Sequence, residues 1–205
     1  LTAMMFREKV EIPWGDPWGS LQDKEIAIVI GHEPGGGAEG ERSYNLKVAN
    51  HMRSILATYG ARVFVYQHSI KSYGARQRAM KEAVSAALPE CFIVFELHFD
   101  AYLPRPEASG HHFKYRGAEA LAKFTQQEWV RRFPRSRPRV DGGLHHCTTG
   151  NGSGFLKEAP GWAVLTEPFF ITNAEEKSFF ANRHKEIADV YCTAAAQFAE
   201  LKGRK

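Results

Sequence analysis

Four short apolar runs constrain this chain more than anything else in it: EIAIVIG at 25–31, ARVFVY at 61–66, CFIVFELHF at 91–99 and WAVLTE at 162–167. Each is too short for a buried helix, rich in β-branched or aromatic residues, and apolar at almost every position rather than every second one. Strands covered on both faces look like this, as in a parallel sheet flanked by helices.

The segments between the runs supply the helices. From Glu41 to Tyr59, residues Tyr44, Val48, Met52, Ile55 and Tyr59 fall on one helical stripe, and Gly60 stands where a left-handed cap belongs. A second helix is expected over Ala75–Leu88, stopped by Pro89, and a third over Gly117–Phe133 with Leu121, Phe124 and Trp129 as its apolar side. A closing helix from Ala174 sets Phe180, Ile187, Val190, Ala194, Phe198 and Leu201 against the sheet. His112–Tyr115 reads as a short, more exposed strand. Pro134–Gly154 reads as a long stretch without regular structure, and such stretches carry function or disorder. The alternation predicts an α/β fold: one domain over residues 25–205, with a twisted, mostly parallel sheet of about five to six strands and helices on both faces. Residues 1–24, with Pro13, Gly15, Pro17 and Gly19 among two tryptophans, read as an N-terminal extension laid over the surface.

Composition narrows the function classes. No run approaches the roughly 20 apolar residues of a membrane span. No charged-then-apolar export pattern opens the chain, so a cytosol-made protein is expected. Three cysteines, Cys91, Cys147 and Cys192, cannot all pair; Cys91 beside a buried strand and Cys192 on a helix read as reduced. The net charge is +4, and five arginines crowd into Arg131–Arg139. They form either a solvated loop face or a surface attractive to a polyanion, nucleic acid or anionic cell wall. No interleaved aromatics, zinc finger or helix-turn-helix supports nucleic acid, which is not expected as a partner.

Chemistry concentrates on His32, Glu41, His98 and Glu167. His32 directly follows the first run, His98 and Glu167 close the third and last, and Glu41 opens a helix behind the glycine-rich loop Gly35–Gly40. Open α/β folds gather such strand-end residues at one edge of the sheet. An HExxH zinc helix would need histidine at 36, where Gly36 stands, and GHEPGGGAEGE has neither the GK[ST] of a phosphate loop nor its tolerance for anions. Metal chemistry fits: catalytic zinc takes three protein ligands, leaves a place for water, and His–Glu–His is one known set. A single histidine here would read more plainly as a hydrogen-bonded core residue; the convergence of several is what points to a metal. Glu167 reads either as a salt-bridge or helix-terminus partner, or as a general base for water.

The stretches IVIGHEPGGGAEGERSYNLKVAN, FIVFELHFDA and WAVLTEPFFITNAEE with the closing helix, spanning about residues 25–201, resemble the zinc-dependent N-acetylmuramoyl-L-alanine amidases of bacterial autolysins and phage endolysins (amidase type 3), most closely their clostridial-phage branch. The resemblance implies one zinc ion held by His32, Glu41 (four residues before Asn45) and His98, with Glu167 catalytic. It implies hydrolysis of the amide between the lactyl group of N-acetylmuramic acid and L-alanine of the stem peptide, by zinc-activated water with a glutamate general base. A monomeric phage or prophage endolysin is expected, made in the bacterial cytoplasm and acting on peptidoglycan in the cell wall. The chain departs from the family in reading GHEPGGG where GHGG-like sequence is usual, so Glu39 competes with Glu41 as ligand. Glu96, two residues before His98 on the same strand face, stands as an outer partner of that ligand or a rival acid. His145 and His146, in a 131–153 segment longer than expected, are further candidates. Alternatives are another zinc amide hydrolase of carboxypeptidase type, or an inactive wall-binding module.

Overall fold

The computed structural model describes residues 17–203. Strands β1 (Glu25–Ile30), β2 (Arg62–Tyr66), β3 (Cys91–Leu97), β4 (His112–Tyr115), β5 (Leu144–His146) and β6 (Trp162–Glu167) form one sheet in the order β2-β1-β3-β6-β4-β5. β2, β1, β3 and β6 run parallel; β4 is antiparallel to β6, and β5 is parallel to β4. The α/β fold expected from the strand–helix alternation is therefore present.

Alternate residues of the buried strands feed two cores, as a period of two requires. Ile26, Ile28, Ile30, Ile93, Phe95, Leu97 and Val164 meet helices α1 (Glu41–Thr58), α3 (Glu119–Arg132) and α6 (His184–Gly203). Ala27, Val29, Val94, Ala163 and Leu165 meet Met80 and Val84 of α2 (Tyr73–Ala87) and Phe155 and Leu156 of α4 (Ser153–Glu158).

This layering decides where a site can form. The chain leaves β1 through α1 on one face and returns from β2 to β3 through α2 on the other. The carboxyl ends of the neighbouring parallel strands β1 and β3 stand side by side at one edge of the sheet, where open α/β folds place their sites.

Three local expectations need correction. Pro134–Gly154 is not structureless: it holds a 3₁₀ helix (Val140–Gly143), β5 and the start of α4. β4 is not an exposed strand, because β6 and β5 flank it and His112 and Phe113 are buried. The closing helix is two, α5 (Ala174–Phe180) and α6, and Asn173 caps the first by accepting from the amides of Glu175 and Glu176. Of the expected extension, residues 1–16 lie outside the described residues; Trp18 stacks on Tyr59, and Leu21 is buried in the larger core.

Candidate active site

A cleft of about 1160 Å³ opens over the carboxyl ends of β1, β3 and β6, with His32, Glu41, Glu96, His98 and Glu167 among its walls. The backbone delivers each of them for a local reason. Gly31 extends β1, its amide donating to Leu97 O at 3.1 Å, and His32 follows at the strand end. The absence of a side chain on Gly31 gives the His98 ring its place, since a Cβ there would lie 2.1 Å from Nε2. Glu41 is the first residue of α1, where the helix dipole favours a carboxylate. One turn on, Asn45 donates to Leu97 O at 3.1 Å and fastens α1 to the end of β3.

The three expected ligands meet. His98 Nδ1 lies 3.1 Å from His32 Nε2, and Glu41 Oε1 lies 3.2 Å from His32 Nε2 and 3.4 Å from His98 Nδ1. Two imidazole nitrogens and a carboxylate oxygen aimed at one point suit a shared cation: metal bonds of zinc length in a tetrahedron put neighbouring ligand atoms roughly 3.3 Å apart. Among the described residues this is the group of histidine and acidic side chains able to hold a metal ion. Glu39 is exposed on the glycine loop and is not part of it.

The rest of Glu41 is tied down. Oε1 accepts from the Phe99 amide at 2.9 Å and Oε2 from the Ala38 amide at 3.0 Å. Burial would raise its pKa, but hydrogen bonds and charge from His32 and His98 hold it well below the usual carboxylate range. His98 carries the complementary shift: burial opposes its proton, yet Glu96 and Glu41 push its pKa up to about 10. A cation entering here takes the proton's place, so its affinity rises with pH. His98 Nε2 faces Glu96 Oε2 at 3.6 Å, which leaves Nδ1 for the common point.

Gly37 completes the cradle. Its φ is +73°, and a Cβ would stand 2.5 Å from the His32 ring and 2.8 Å from Glu41 Oε2. Gly37→Ala is expected to cost about 1–2 kcal/mol through the left-handed backbone alone, and to weaken metal binding through the clash. Thermal unfolding with and without zinc reads both effects.

Glu167, at the end of β6, faces the same cleft. Lys114 Nζ donates to its Oε1 at 2.8 Å; Arg139 Nη1 donates to Oε2 at 3.4 Å, and His112 Nδ1 approaches Oε2 to 3.5 Å. Burial would raise the Glu167 pKa, but the His112 contact and the Lys114 charge lower it to about 2. These three neighbours were not anticipated from sequence. The alternation in HFKY puts His112 and Lys114 on one face, but only the pairing of β4 with β6 shows what that face meets. His145 and His146 do not line the cleft: they lie on β5, with His145 edge-on to His112 and His146 stacked on Tyr115.

Solved structures of similar fold include the N-acetylmuramoyl-L-alanine amidase AmiC2 of Nostoc punctiforme, 18% identical over 87% of this chain and 97% of that one, with a TM-score of 0.69. The CwlD amidase from Clostridioides difficile, solved in complex with the GerS lipoprotein, is 18% identical over 87% of this chain and all (100%) of that one, with a TM-score of 0.70. The catalytic domain of the CD27L endolysin targeting Clostridia difficile is 19% identical over 87% of this chain and 97% of that one, with a TM-score of 0.65. No curated protein sequence matches the chain. The family model of N-acetylmuramoyl-L-alanine amidase, however, matches residues 26–197, from the first strand to the last helix, and the chain therefore belongs to that family.

Proposed function

We propose that this peptidoglycan amidase is zinc-dependent, with His32, Glu41 and His98 as the metal ligands and Glu167 as the proton-transferring carboxylate. The observation that carries the reading is the meeting of three ligand atoms at 3.1–3.4 Å in a cleft that Glu167 also lines. Bound there, zinc would supply Lewis acidity, lowering the pKa of water to about 7 and polarising a carbonyl.

The chain's own groups do the rest. Glu167 takes a proton from water as the water oxygen adds to the lactyl carbonyl carbon. It returns that proton to the amide nitrogen as the C–N bond breaks, releasing a lactyl carboxylate and the amine of L-alanine. An amide needs both steps, because its carbonyl is a poor electrophile and its nitrogen a poor leaving group until protonated. Glu41 would offset the charge of a bound metal, and Phe99 and Ala38 fix both its oxygens through their amides. Glu96 keeps the His98 tautomer that presents Nδ1.

The test pairs metal analysis with mass spectrometry of digested muropeptides. Zinc-dependent release of a free L-alanine amine from an intact glycan supports the reading; cleavage elsewhere in the stem peptide points to the carboxypeptidase alternative, and no cleavage to an inactive wall-binding module. Glu96→Gln is expected to weaken zinc affinity about 10–100-fold, read by competition with a chromophoric chelator. We also assign the chain the role of a monomeric phage or prophage lysin, in keeping with its resemblance to the clostridial-phage branch. Gel filtration and lysis of intact cells by added protein check those two points.

A further inference from the structure

Glu167 is held by two basic side chains, Lys114 and Arg139, that the mechanism above does not use. β4 sets His112 opposite Glu167 and Lys114 opposite Leu165, so His112 and Lys114 share the face on which Glu167 stands. Lys114 Nζ holds Oε1 at 2.8 Å, and Arg139 Nη1 reaches Oε2 at 3.4 Å. The side chains are only 13% and 29% exposed. Arg131 and Arg132 pair with Glu128 and Glu186 on helices, whereas Arg139 turns inward. It pairs with Asp100, lies 4.9 Å above the Phe170 ring, and is anchored by its amide to His111 O at 3.0 Å. Neither Lys114 nor Arg139 lines the cleft. Lys114 pairs with Glu167 while Arg139 bridges Asp100 and Glu167, so each Glu167 oxygen has its own donor.

We propose that Lys114 and Arg139 are positioning residues for Glu167, fixing both of its oxygens at the cleft so that it carries a proton only in passing, from water to the leaving amine. The inference rests on the role given to Glu167 above. The proton leaves the water oxygen, spends its transit on the Glu167 carboxyl and ends on nitrogen, where the electron pair of the breaking C–N bond awaits it; no further reactant is needed. With a donor on each oxygen the carboxylate keeps one orientation at the cleft, which is what a proton carrier between two fixed partners needs. The groups facing it are Lys114 and His112 on β4, Arg139 with Asp100 beyond it, His98 after β3, and the Cys147 thiol, itself raised by burial.

The experiment is a ¹³C-carboxyl NMR titration of Glu167, assigned with Glu167→Gln, in the wild-type protein and in Lys114→Met. The wild-type signal is expected to stay flat from neutral pH to about 3.5, and the variant to titrate within that range, about one to three pH units higher. This readout is independent of turnover: a wild type inactive on muropeptides would sink the amidase mechanism and leave the clamp standing. On muropeptides Lys114→Met should lose about 10–100-fold in kcat with KM little changed, and Lys114→Arg should recover most of it. A wild-type signal that titrates like an ordinary carboxylate overturns the proposal, as does a variant signal as flat as wild type. So does an equal loss in Lys114→Met and Lys114→Arg with one pH profile. Should Lys114→Met fail to fold, Arg139→Gln replaces it in the same titration.

Discussion

Glu167→Gln is expected to lower muropeptide turnover by about 10²–10⁴-fold, the usual contribution of a positioned proton carrier, with zinc content unchanged. The substitution keeps the side chain's size and removes its negative charge, and with it the ability to accept a proton. Zinc should remain because the carboxylate is not one of the three ligand atoms that meet. Stability should change in a pH-dependent way. The folded pKa of Glu167 lies at about 2 against an ordinary 4.5, so its ionised form stabilises the fold above the ordinary value. That contribution fades as pH falls from about 4.5 towards 2. The Tm gap between wild type and Glu167→Gln should therefore be widest near neutrality and close in acid, as thermal melts across pH would show. Wild-type turnover in the variant would transfer the role to another carboxylate, and Glu96, buried at the same cleft, is the first to test.

What the sequence disclosed follows from what burial leaves in a local pattern. β1, β3 and β6 lie in the middle of the sheet under helices on both faces, so nearly every residue is apolar and the runs stand out. His32, His98 and Glu167 were legible because each interrupts or ends such a run, where a polar side chain needs a reason. β4 and β5 carry no such mark. HFKY and LHH mix polar and apolar residues, and their burial comes from β6, from each other and from α3, contacts made across long stretches of chain.

The site divides along the same line. Lys114 looks like an outward lysine on an exposed strand until β4 is seen antiparallel to β6. Arg139 looks like one more cation in a basic run until the loop returns beside His111, with His111 and Pro138 bridged. Glu41 against Glu39 was a matter of two residues in a glycine-rich loop. The two part where the helix starts: α1 begins at Glu41, after Gly40 at φ 83°, so Glu41 is carried to the end of β3 while Glu39 stays on the exposed loop.

Glu41→Ala should therefore damage both metal and fold, and Glu39→Gln neither. Loss of one ligand in three is expected to weaken zinc by more than the roughly 10–100-fold of an outer-partner substitution. The same change strips acceptors from the amides of Phe99 and Ala38. Phe99 packs against Tyr44 and Phe169 at ring distances of 4.8 and 4.3 Å, so its amide has little access to water. Orphaning it should cost about 1–3 kcal/mol before any metal is added. The sign with pH is fixed by the lowered pKa of Glu41: its contribution is complete above the ordinary carboxylate value and shrinks only in acid, so the deficit should be full at neutral pH. Zinc separates the two losses. A ligand at 100 times its Kd stabilises a folded protein by about 2.7 kcal/mol, so wild type and Glu39→Gln should melt higher when zinc is added, and Glu41→Ala should start lower and barely respond. The reverse result, a zinc response lost with Glu39 and kept without Glu41, would hand the ligand to the loop and undo the geometry on which the amidase mechanism stands.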